Sequence, residues 1–455
     1  MAGSEGELEI AGPRDIKDAV KVIDWAIEHP ELRVDRDKIG MFGLSYGSGI
    51  SQLTALADSR VKAVVALSTW ADLAEALYDK HTRHSGAVET LYAVGTRPSS
   101  ELRKIVDDFR NNDNIEDIVD WAKLRSPAHS TGTNYAPTFF TTYWHETLFP
   151  ANQLLKYVDS YPGPKRLDVA IGDHGALDML PAMHGVPGRA TDAGYDWLDH
   201  YLLEVDNGID SDGVMHLETM HNLGHTYSAP NTDKWSKRQW RFYLHEPRSE
   251  SGNGLLATFP PISFRTSFNS GMPQVQMADA IIVNGFGERL GLPMLQSLAD
   301  VRRTQAGVWT FAAPFAEPRH IAGYPELQIS VTPEDKQVTV AAYLFDYNPL
   351  TKILRVITHA VKTVRNNEPK IPTNVQLTLQ GTDYRVPRGH NIVFIVDSID
   401  WLYEYGTNLR PPRSDLQPLP RPVPGGTLTL SSTHGHASIT IPIEKIPALE
   451  GAQQY

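Results

Sequence analysis

One pentapeptide in the sequence combines residue types that can perform nucleophilic chemistry, Gly43-Leu44-Ser45-Tyr46-Gly47. It follows an apolar run that predicts a strand at 38–44, and it precedes a pattern that predicts a helix at 49–57. A G-x-S-x-G sequence between a strand and a helix is typical of a nucleophile elbow, where a sharp turn exposes the serine hydroxyl. We therefore predict Ser45 as a nucleophile and the backbone N–H of Tyr46 as an oxyanion donor. The alternative is a plain structural turn.

A serine nucleophile needs a general base, and the base needs an acid that holds it in the correct tautomer. Where this elbow occurs, the chain order is serine, then acid, then histidine, each after a later strand. Glu146 follows a predicted strand at 137–142, and His174 follows a predicted strand at 166–171. We predict Glu146 as the acid and His174 as the base. The alternatives are a surface carboxylate and a surface-loop histidine.

Four neighbouring residues compete for these roles. His184 lies farther past the same strand as His174. We expect Asp173 to orient a loop and Asp178 to be the fallback acid. His145 either pairs with a substrate or lines the pocket, or its side chain faces solvent.

Aromatic residues and further histidines carry weaker signals. Trp70 and Trp144 are candidate walls of a substrate-binding pocket, as is the ring of Tyr46, although large aromatic residues near strand ends are more often part of the core. Three histidines hint at a metal cluster without matching a recurring ligand spacing, namely His216, His221 and His225. We therefore predict no metal and no cofactor.

Length and composition limit the class of protein. The chain has 455 residues, 42 Lys and Arg against 54 Asp and Glu, a net charge of −12, and no cysteine. This length favours two or more domains. The absence of cysteine excludes disulfides and thiolate chemistry, which leaves Ser45 as the evident nucleophile. The acidic balance argues against a generic nucleic-acid binder, which needs clustered Lys and Arg.

The sequence has no pattern typical of membrane insertion or export. No apolar run approaches the length that spans a bilayer. The first ten residues lack the cationic start and apolar stretch of a signal peptide. We therefore expect a soluble, cytoplasmic protein that does not bind membranes.

The two halves of the chain differ in periodicity. Residues 1–209 alternate buried strand-like runs with helical patterns, which is typical of a parallel sheet covered on both faces. Residues 210–455 carry short alternating runs between Pro- and Gly-rich turns, including an extended loop at 411–426, which favours a β-sandwich or jelly roll. The predicted fold class is thus an α/β domain followed by an all-β domain.

A charged helical stretch at 71–135 interrupts the alternation. It is too long for an ordinary connection, so we interpret it as an inserted helical cap. Its carboxylates suit the ammonium group of a peptide substrate, although a run of charges on a helix is more often a solvated face. These carboxylates belong to Asp107, Asp108, Asp113, Glu116 and Asp117.

With these residues assigned, the chain resembles the cocaine-esterase/X-Pro dipeptidyl-peptidase family of α/β-hydrolases. The stretches that carry the resemblance extend over essentially the whole chain: Gly3-Ser4-Glu5-Gly6, the elbow, Trp144-His145-Glu146, the helix at 195–202 and Arg241-Phe242-Tyr243-Leu244. The resemblance implies an α/β-hydrolase domain at 1–209 and a C-terminal jelly roll at 210–455. The implied cap is the stretch at 71–135.

The resemblance also implies an activity, hydrolysis of acyl esters or amides through an acyl-enzyme on Ser45, with His174 as base and Glu146 as acid. The family usually has Asp at the third place, and Glu is one methylene longer. The implied partner is a small-molecule ester or amide, or a short peptide. The choice between esterase and dipeptidyl-peptidase stays open.

The beginning of the chain departs from the family pattern. Family members carry further residues before the Gly-Ser-Glu-Gly stretch, including the first strands and a tyrosine that is the second oxyanion donor. Their absence leads us to expect an apolar sheet edge at 38–44. Loss of one oxyanion donor lowers turnover by about 10²–10³. The open alternatives are a homo-oligomer or a complementing N-terminal segment, and a truncated, weakly active or inactive homologue that acts as a binding protein.

Overall fold

The chain folds into the two predicted units, an α/β unit followed by an all-β unit. The structure, a computed structural model, describes residues 6–175, 178–211, 213–222, 224–249, 252–269, 271–278, 281–403, 426–432 and 437–445. An α/β-hydrolase unit is followed by a jelly-roll β-sandwich, so the predicted fold class is confirmed. Most of the predicted extended loop at 411–426 lies outside the described residues.

In the α/β unit, the elements predicted at 38–44, 49–57, 137–142 and 166–171 begin and end within three residues of those bounds. The elements of the whole unit follow in chain order. They are α1 (Pro13–Glu28), β1 (Ile39–Leu44), α2 (Tyr46–Ala57), β2 (Val61–Leu67), α3 (Leu73–Leu77), β3 (Tyr78–Asp79), β4 (Thr82–Arg83), α4 (Ser85–Val94), α5 (Ser100–Asn111), α6 (Ile115–Lys123), β5 (Thr138–Tyr143), α7 (Asn152–Ser160), β6 (Lys165–Ala170), α8 (Met179–His184), α9 (Arg189–Leu203), β7 (Met215–Glu218) and β8 (Thr226–Ala229).

The elements of the sandwich are mostly strands. They are α10 (Thr232–Trp235), β9 (Gln239–His245), β10 (Gly254–Ala257), β11 (Arg265–Asn269), α11 (Val283–Arg289), β12 (Gln296–Ser297), β13 (Gly307–Thr310), β14 (Arg319–Gly323), β15 (Glu326–Pro333), β16 (Gln337–Asn348), β17 (Ile353–Arg365), β18 (Thr373–Thr378), β19 (Thr382–Val386), β20 (Asn391–Asp397), β21 (Thr427–Ser431) and β22 (Ser438–Lys445).

The hydrolase sheet has the strand order β1-β2-β5-β6-β7-β8. Its first five strands pair in parallel, and β8 is antiparallel to β7. Strands β7 and β8 follow residue 209, so the hydrolase sheet extends beyond the domain boundary predicted at that residue. The boundary itself remains a proposal. Strand β1 forms one edge of the sheet within the described chain, as expected, and most of its residues are half-buried.

The predicted cap is helical and also contains a short hairpin, β3–β4. The hairpin lies against the sandwich, where the Thr82 and Thr363 hydroxyls are 3.0 Å apart. The N–H of Gly86 donates to the carbonyl of Leu402 at 2.9 Å. The sandwich therefore holds one side of the cap over the hydrolase sheet.

Residues before α1 run beneath the cap. The N–H of Leu8 donates to the carbonyl of Arg97 at 2.9 Å, and the buried guanidinium of Arg125 donates to the carbonyl of Glu9 at 2.9 Å. The same guanidinium lies 3.7 Å from the centre of the Trp121 ring.

Among the described residues, no helix is both long and apolar enough to cross a membrane.

Candidate active site

Ser45 lies on the sharp turn between β1 and α2. Its backbone adopts φ 54° and ψ −117°, a strained conformation for a residue with a side chain. A Cβ on Gly43 would lie 2.2 Å from the carbonyl group of Gly47, so the turn requires glycine at position 43. A Cβ on Gly47 would meet nothing within 4 Å. Of the two glycines of the motif, only Gly43 is therefore sterically required.

The turn aims the serine at the predicted histidine. The Oγ of Ser45 lies 2.7 Å from Nε2 of His174, and Nδ1 of His174 lies 2.9 Å from Oε1 of Glu146. Oε1 also accepts the backbone N–H groups of Leu148 and Phe149, at 3.1 and 3.3 Å. These bonds fix the longer Glu side chain in its loop, so its extra methylene still allows contact with the imidazole.

Burial and charge act in opposite directions on His174. Burial by itself lowers the pKa of the imidazole, but the Glu146 carboxylate and its hydrogen bond outweigh burial, and the net pKa is raised. Oε2 of Glu146 is buried without a hydrogen-bond partner among the described atoms. The Glu146 carboxylate therefore interacts chiefly through the oxygen that faces the imidazole and the loop N–H groups.

Tyr46 is the first residue of α2 and directly follows Ser45, the predicted nucleophile. The first N–H groups of a helix have no acceptor within the helix and carry partial positive charge. The Tyr46 hydroxyl donates to Oδ2 of Asp15 at 2.7 Å. This bond holds the Tyr46 side chain against α1.

Asp173 anchors the loop that carries His174. Its carboxylate accepts the backbone N–H groups of His174 and Thr147 at 2.6 and 2.7 Å and that of Ile282 at 2.9 Å. Burial, reinforced by the charge of Glu146, raises the pKa of Asp173 to about 6. Asp173 thus joins the loop of His174, the loop of Glu146 and the segment before α11.

The other competitors lie apart from the serine–histidine contact. Asp178 accepts the hydroxyl of Tyr143 at 2.7 Å, and burial raises the Asp178 pKa to about 6. His145 is bound by Glu288 at 2.9 Å and the carbonyl of Ile357 at 3.2 Å. His184 is exposed at the end of α8.

The two candidate tryptophans have different surroundings. Trp70 lines a cavity next to Ser45 and donates from Nε1 to the carbonyl of Arg125 at 2.8 Å. Trp144 packs instead in the core, where it stacks on Trp235 with ring centroids 5.3 Å apart. The expectation that Trp144 forms a pocket wall is therefore corrected, because its ring turns toward the sandwich side of the acid loop.

The three histidines of the metal hypothesis contact three different partners. His216 lies against the carbonyl of Gly213, His221 against that of Arg385, and His225 against the hydroxyl of Thr219. Within the described ranges, no group of three or more His, Cys, Asp or Glu side chains could hold a metal ion.

The structure adds a residue that the sequence analysis missed. Phe149 packs edge-on against the His174 ring, with centroids 5.2 Å apart, and contacts Trp70 at 5.1 Å. It also lines the cavity beside Ser45. Its position three residues after Glu146 was the available signal, because it shares the loop of the residue that was predicted to contact His174.

Sequence comparisons agree with this architecture. Residues 1–176 match the model of the X-Pro dipeptidyl-peptidase (S15 family), and residues 221–422 match that of the X-Pro dipeptidyl-peptidase C-terminal non-catalytic domain. No curated protein gives a significant match to the sequence.

Similar solved structures include a CocE/NonD family hydrolase from Staphylococcus aureus, with a TM-score of 0.70 at 12% identity over 97% of this chain and 78% of that one. An aminopeptidase from a marine sediment archaeon, Thaumarchaeota archaeon, has a TM-score of 0.68 at 13% identity, over 97% of this chain and 80% of that one. An α-amino acid ester hydrolase has a TM-score of 0.64 at 16% identity, over 97% of this chain and 84% of that one. Identities this low show a shared fold alone. The two family matches, which together cover residues 1–176 and 221–422, show that the chain belongs to the X-Pro dipeptidyl-peptidase/cocaine-esterase family of α/β-hydrolases.

Proposed function

We propose that the protein is a serine hydrolase that cleaves acyl esters or amides through an acyl-enzyme on Ser45. The observation that carries this proposal is the chain of two contacts, 2.7 Å from Ser45 Oγ to His174 Nε2 and 2.9 Å from His174 Nδ1 to Glu146 Oε1. Nucleophile, base and acid in mutual hydrogen-bond reach are what acyl transfer by serine requires.

In the first step, Nε2 of His174 takes the proton of Ser45 as Oγ attacks the substrate carbonyl carbon. Negative charge develops on the carbonyl oxygen, and the backbone N–H of Tyr46 stabilises it. The imidazolium is stabilised by Glu146, whose carboxylate lies on the opposite side of the ring. His174 then donates its proton to the departing alcohol or amine, which leaves the acyl group on Ser45.

In the second step, water replaces the leaving group. His174 takes a proton from the water, the hydroxide attacks the acyl carbon, and the ester bond to Ser45 breaks as His174 returns a proton to Oγ. Asp173 acts as a positioning residue throughout, since its contacts with Thr147 and Ile282 hold the loop that presents the imidazole.

The proposal is tested by activity-based labelling. Wild-type protein should react with a fluorophosphonate probe and hydrolyse p-nitrophenyl acetate, and Ser45→Ala should lose both reactions. Ser59→Ala, which changes an exposed serine after α2, is the matched control and should retain both.

The same experiment tests the alternative of an inactive homologue that acts as a binding protein. A wild-type chain that is folded by circular dichroism yet neither labels nor hydrolyses esters would contradict the hydrolase proposal. Labelling that survives in Ser45→Ala would place the nucleophile elsewhere.

A further inference from the structure

A cavity of about 430 Å³ lies between the cap and the elbow. At one end are Ser45, Tyr46, Trp70 and Phe149, and the remaining walls come largely from α3 to α6 and from the residues before α1. Helix α5 contributes one apolar stripe with helical spacing, consisting of Leu102, Ile105, Val106 and Phe109. The cavity is therefore an extension of the candidate active site and has its own walls.

The described walls of this cavity carry no Asp, Glu, Lys, Arg or His side chain. None of the five acidic cap residues considered for an ammonium group lines the cavity. Asp107 has a 68% exposed side chain, and Asp108 pairs with Lys104 at 2.6 Å. The remaining three are exposed, namely Asp113, Glu116 and Asp117. A substrate ammonium group buried in this cavity would have no carboxylate partner, and an unpaired buried charge is strongly unfavourable.

The position of His174 decides which part of an ester lies in the cavity. His174 must protonate the leaving group, so the leaving group lies on the side of Ser45 that faces Nε2. The imidazole is not part of the cavity wall, whereas Ser45 and Tyr46, whose backbone N–H is the proposed oxyanion donor, are part of it. The acyl group therefore extends away from His174 and into the cavity under the cap.

We propose that this cavity binds an uncharged aliphatic acyl chain of medium length, which makes the protein an esterase for medium-chain acyl esters. This inference rests on the proposed function of Ser45. At about 30 Å³ for each water-sized group, the volume accommodates a chain on the order of ten methylene groups. The walls are mostly Leu, Ile, Val and Ala, and such a surface gains affinity from each methylene that it removes from water.

The first test is a series of p-nitrophenyl esters from acetate to decanoate, each below its critical micelle concentration. Each methylene that enters the cavity raises kcat/KM by up to about fourfold, less the cost of ordering the chain. We expect kcat/KM for octanoate to exceed that for acetate by at least about tenfold. Alanyl-prolyl p-nitroanilide and phenylglycine methyl ester, which carry an ammonium group, should be poorer substrates than octanoate.

The second test changes the wall. Ile105→Trp fills the cavity from α5 and should lower the octanoate-to-acetate ratio of kcat/KM by about tenfold or more. Arg103→Trp places the same side chain on the exposed face of the helix and should leave this ratio unchanged. Val119→Phe, which fills the cavity from α6, is a second variant if Ile105→Trp fails to fold.

Three outcomes would overturn the proposal while leaving the serine hydrolase intact. They are a flat chain-length series, a preference for the ammonium-bearing substrates, and a gain that follows the length of the alcohol in alkyl acetates. A protein whose Ser45 does not label at all would instead refute the proposed function itself.

Discussion

Replacing Glu146 by Gln removes the carboxylate that faces His174 and tests the assignment of the acid directly. In the wild type, Oε1 lies 2.9 Å from Nδ1 of His174 inside a buried site. When His174 becomes an imidazolium during acylation, the carboxylate stabilises its charge. The neutral amide of Gln does not.

The expected loss follows from the geometry. Two unit charges 4 Å apart interact by about 4 kcal/mol at an effective dielectric constant of 20, which corresponds to about 10³ in rate. If the amide NH₂ of Gln donates to Nδ1, the proton moves to Nε2, which then cannot accept the proton of Ser45. We therefore expect kcat to fall by about 10³–10⁴. Because Glu146 is not part of the cavity wall, KM should change by less than about threefold.

The pH profile separates this mechanism from general damage. The kcat/KM of the wild type should rise with pH through the pKa of His174, because the base must be neutral. The Glu146 charge raises that pKa, whereas burial lowers it. Without the charge, burial dominates, and the acid limb of the profile should move to lower pH in Glu146→Gln.

The assay is hydrolysis of a p-nitrophenyl ester in stopped-flow at several pH values, with folding checked by circular dichroism. Asp178→Asn, which neutralises the nearby buried carboxylate on Tyr143, is the matched control and should lose less than about tenfold. An equal loss in both variants, or an acid limb that moves to higher pH in Glu146→Gln, would refute the assignment of Glu146.

Three further changes probe how the site is held. Gly43→Ala should destabilise the protein by about 1–3 kcal/mol and abolish fluorophosphonate labelling, because its Cβ would lie 2.2 Å from the Gly47 carbonyl, whereas Gly47→Ala should be tolerated in urea unfolding. The raised pKa of Asp178, about 6, disfavours its charged form, so the wild type should lose stability as pH rises from about 4 to above 6, and Asp178→Asn should remove a loss on the order of 2 kcal/mol, measured by urea unfolding at each pH. An unchanged pH dependence would contradict that pKa. Arg125→Ala should cost about 2–4 kcal/mol in the same assay, since it removes the buried bond to the Glu9 carbonyl that ties the residues before α1 to the cap, and a cost below 0.5 kcal/mol would show that this contact is dispensable.

Much of the fold and of the candidate site could be predicted because the signals are local. Strands β1, β5 and β6 differ from their predicted bounds by at most one residue at either end. Their apolar runs are short and bounded by polar turns, which restricts where a buried strand can begin and end. The elbow and the chain order of acid and base are sequence patterns in the same sense.

Other features depend on contacts between distant parts of the chain. Trp70 and Trp144 both follow strands, yet only the latter meets Trp235, so sequence alone could not separate a wall residue from a core residue. Strand β7 joins the hydrolase sheet by pairing with β6 across a connection that contains α8 and α9. Pairing of this kind is decided by packing and not by local propensity.

The cap illustrates the same division. Its helices were evident from their periodicity, and the charges of α5 were evident as a possible ammonium site. Only the folded cap turns Asp107 outward and Ile105 inward, because burying the apolar stripe over the elbow is favourable and burying unpaired carboxylates is not.

By itself, the sequence determined the kind of fold, the nucleophile candidate and the order of its partners. These depend on short-range patterns of residues that do not require tertiary contacts. The tertiary structure decided the distances from Ser45 to His174 and from His174 to Glu146, and the loop contacts through Asp173. It also decided which residues surround the substrate cavity. The contacts at the site join residues that are 26 to 129 positions apart in the chain, and the free energy of packing such segments together cannot be read from any single stretch of sequence.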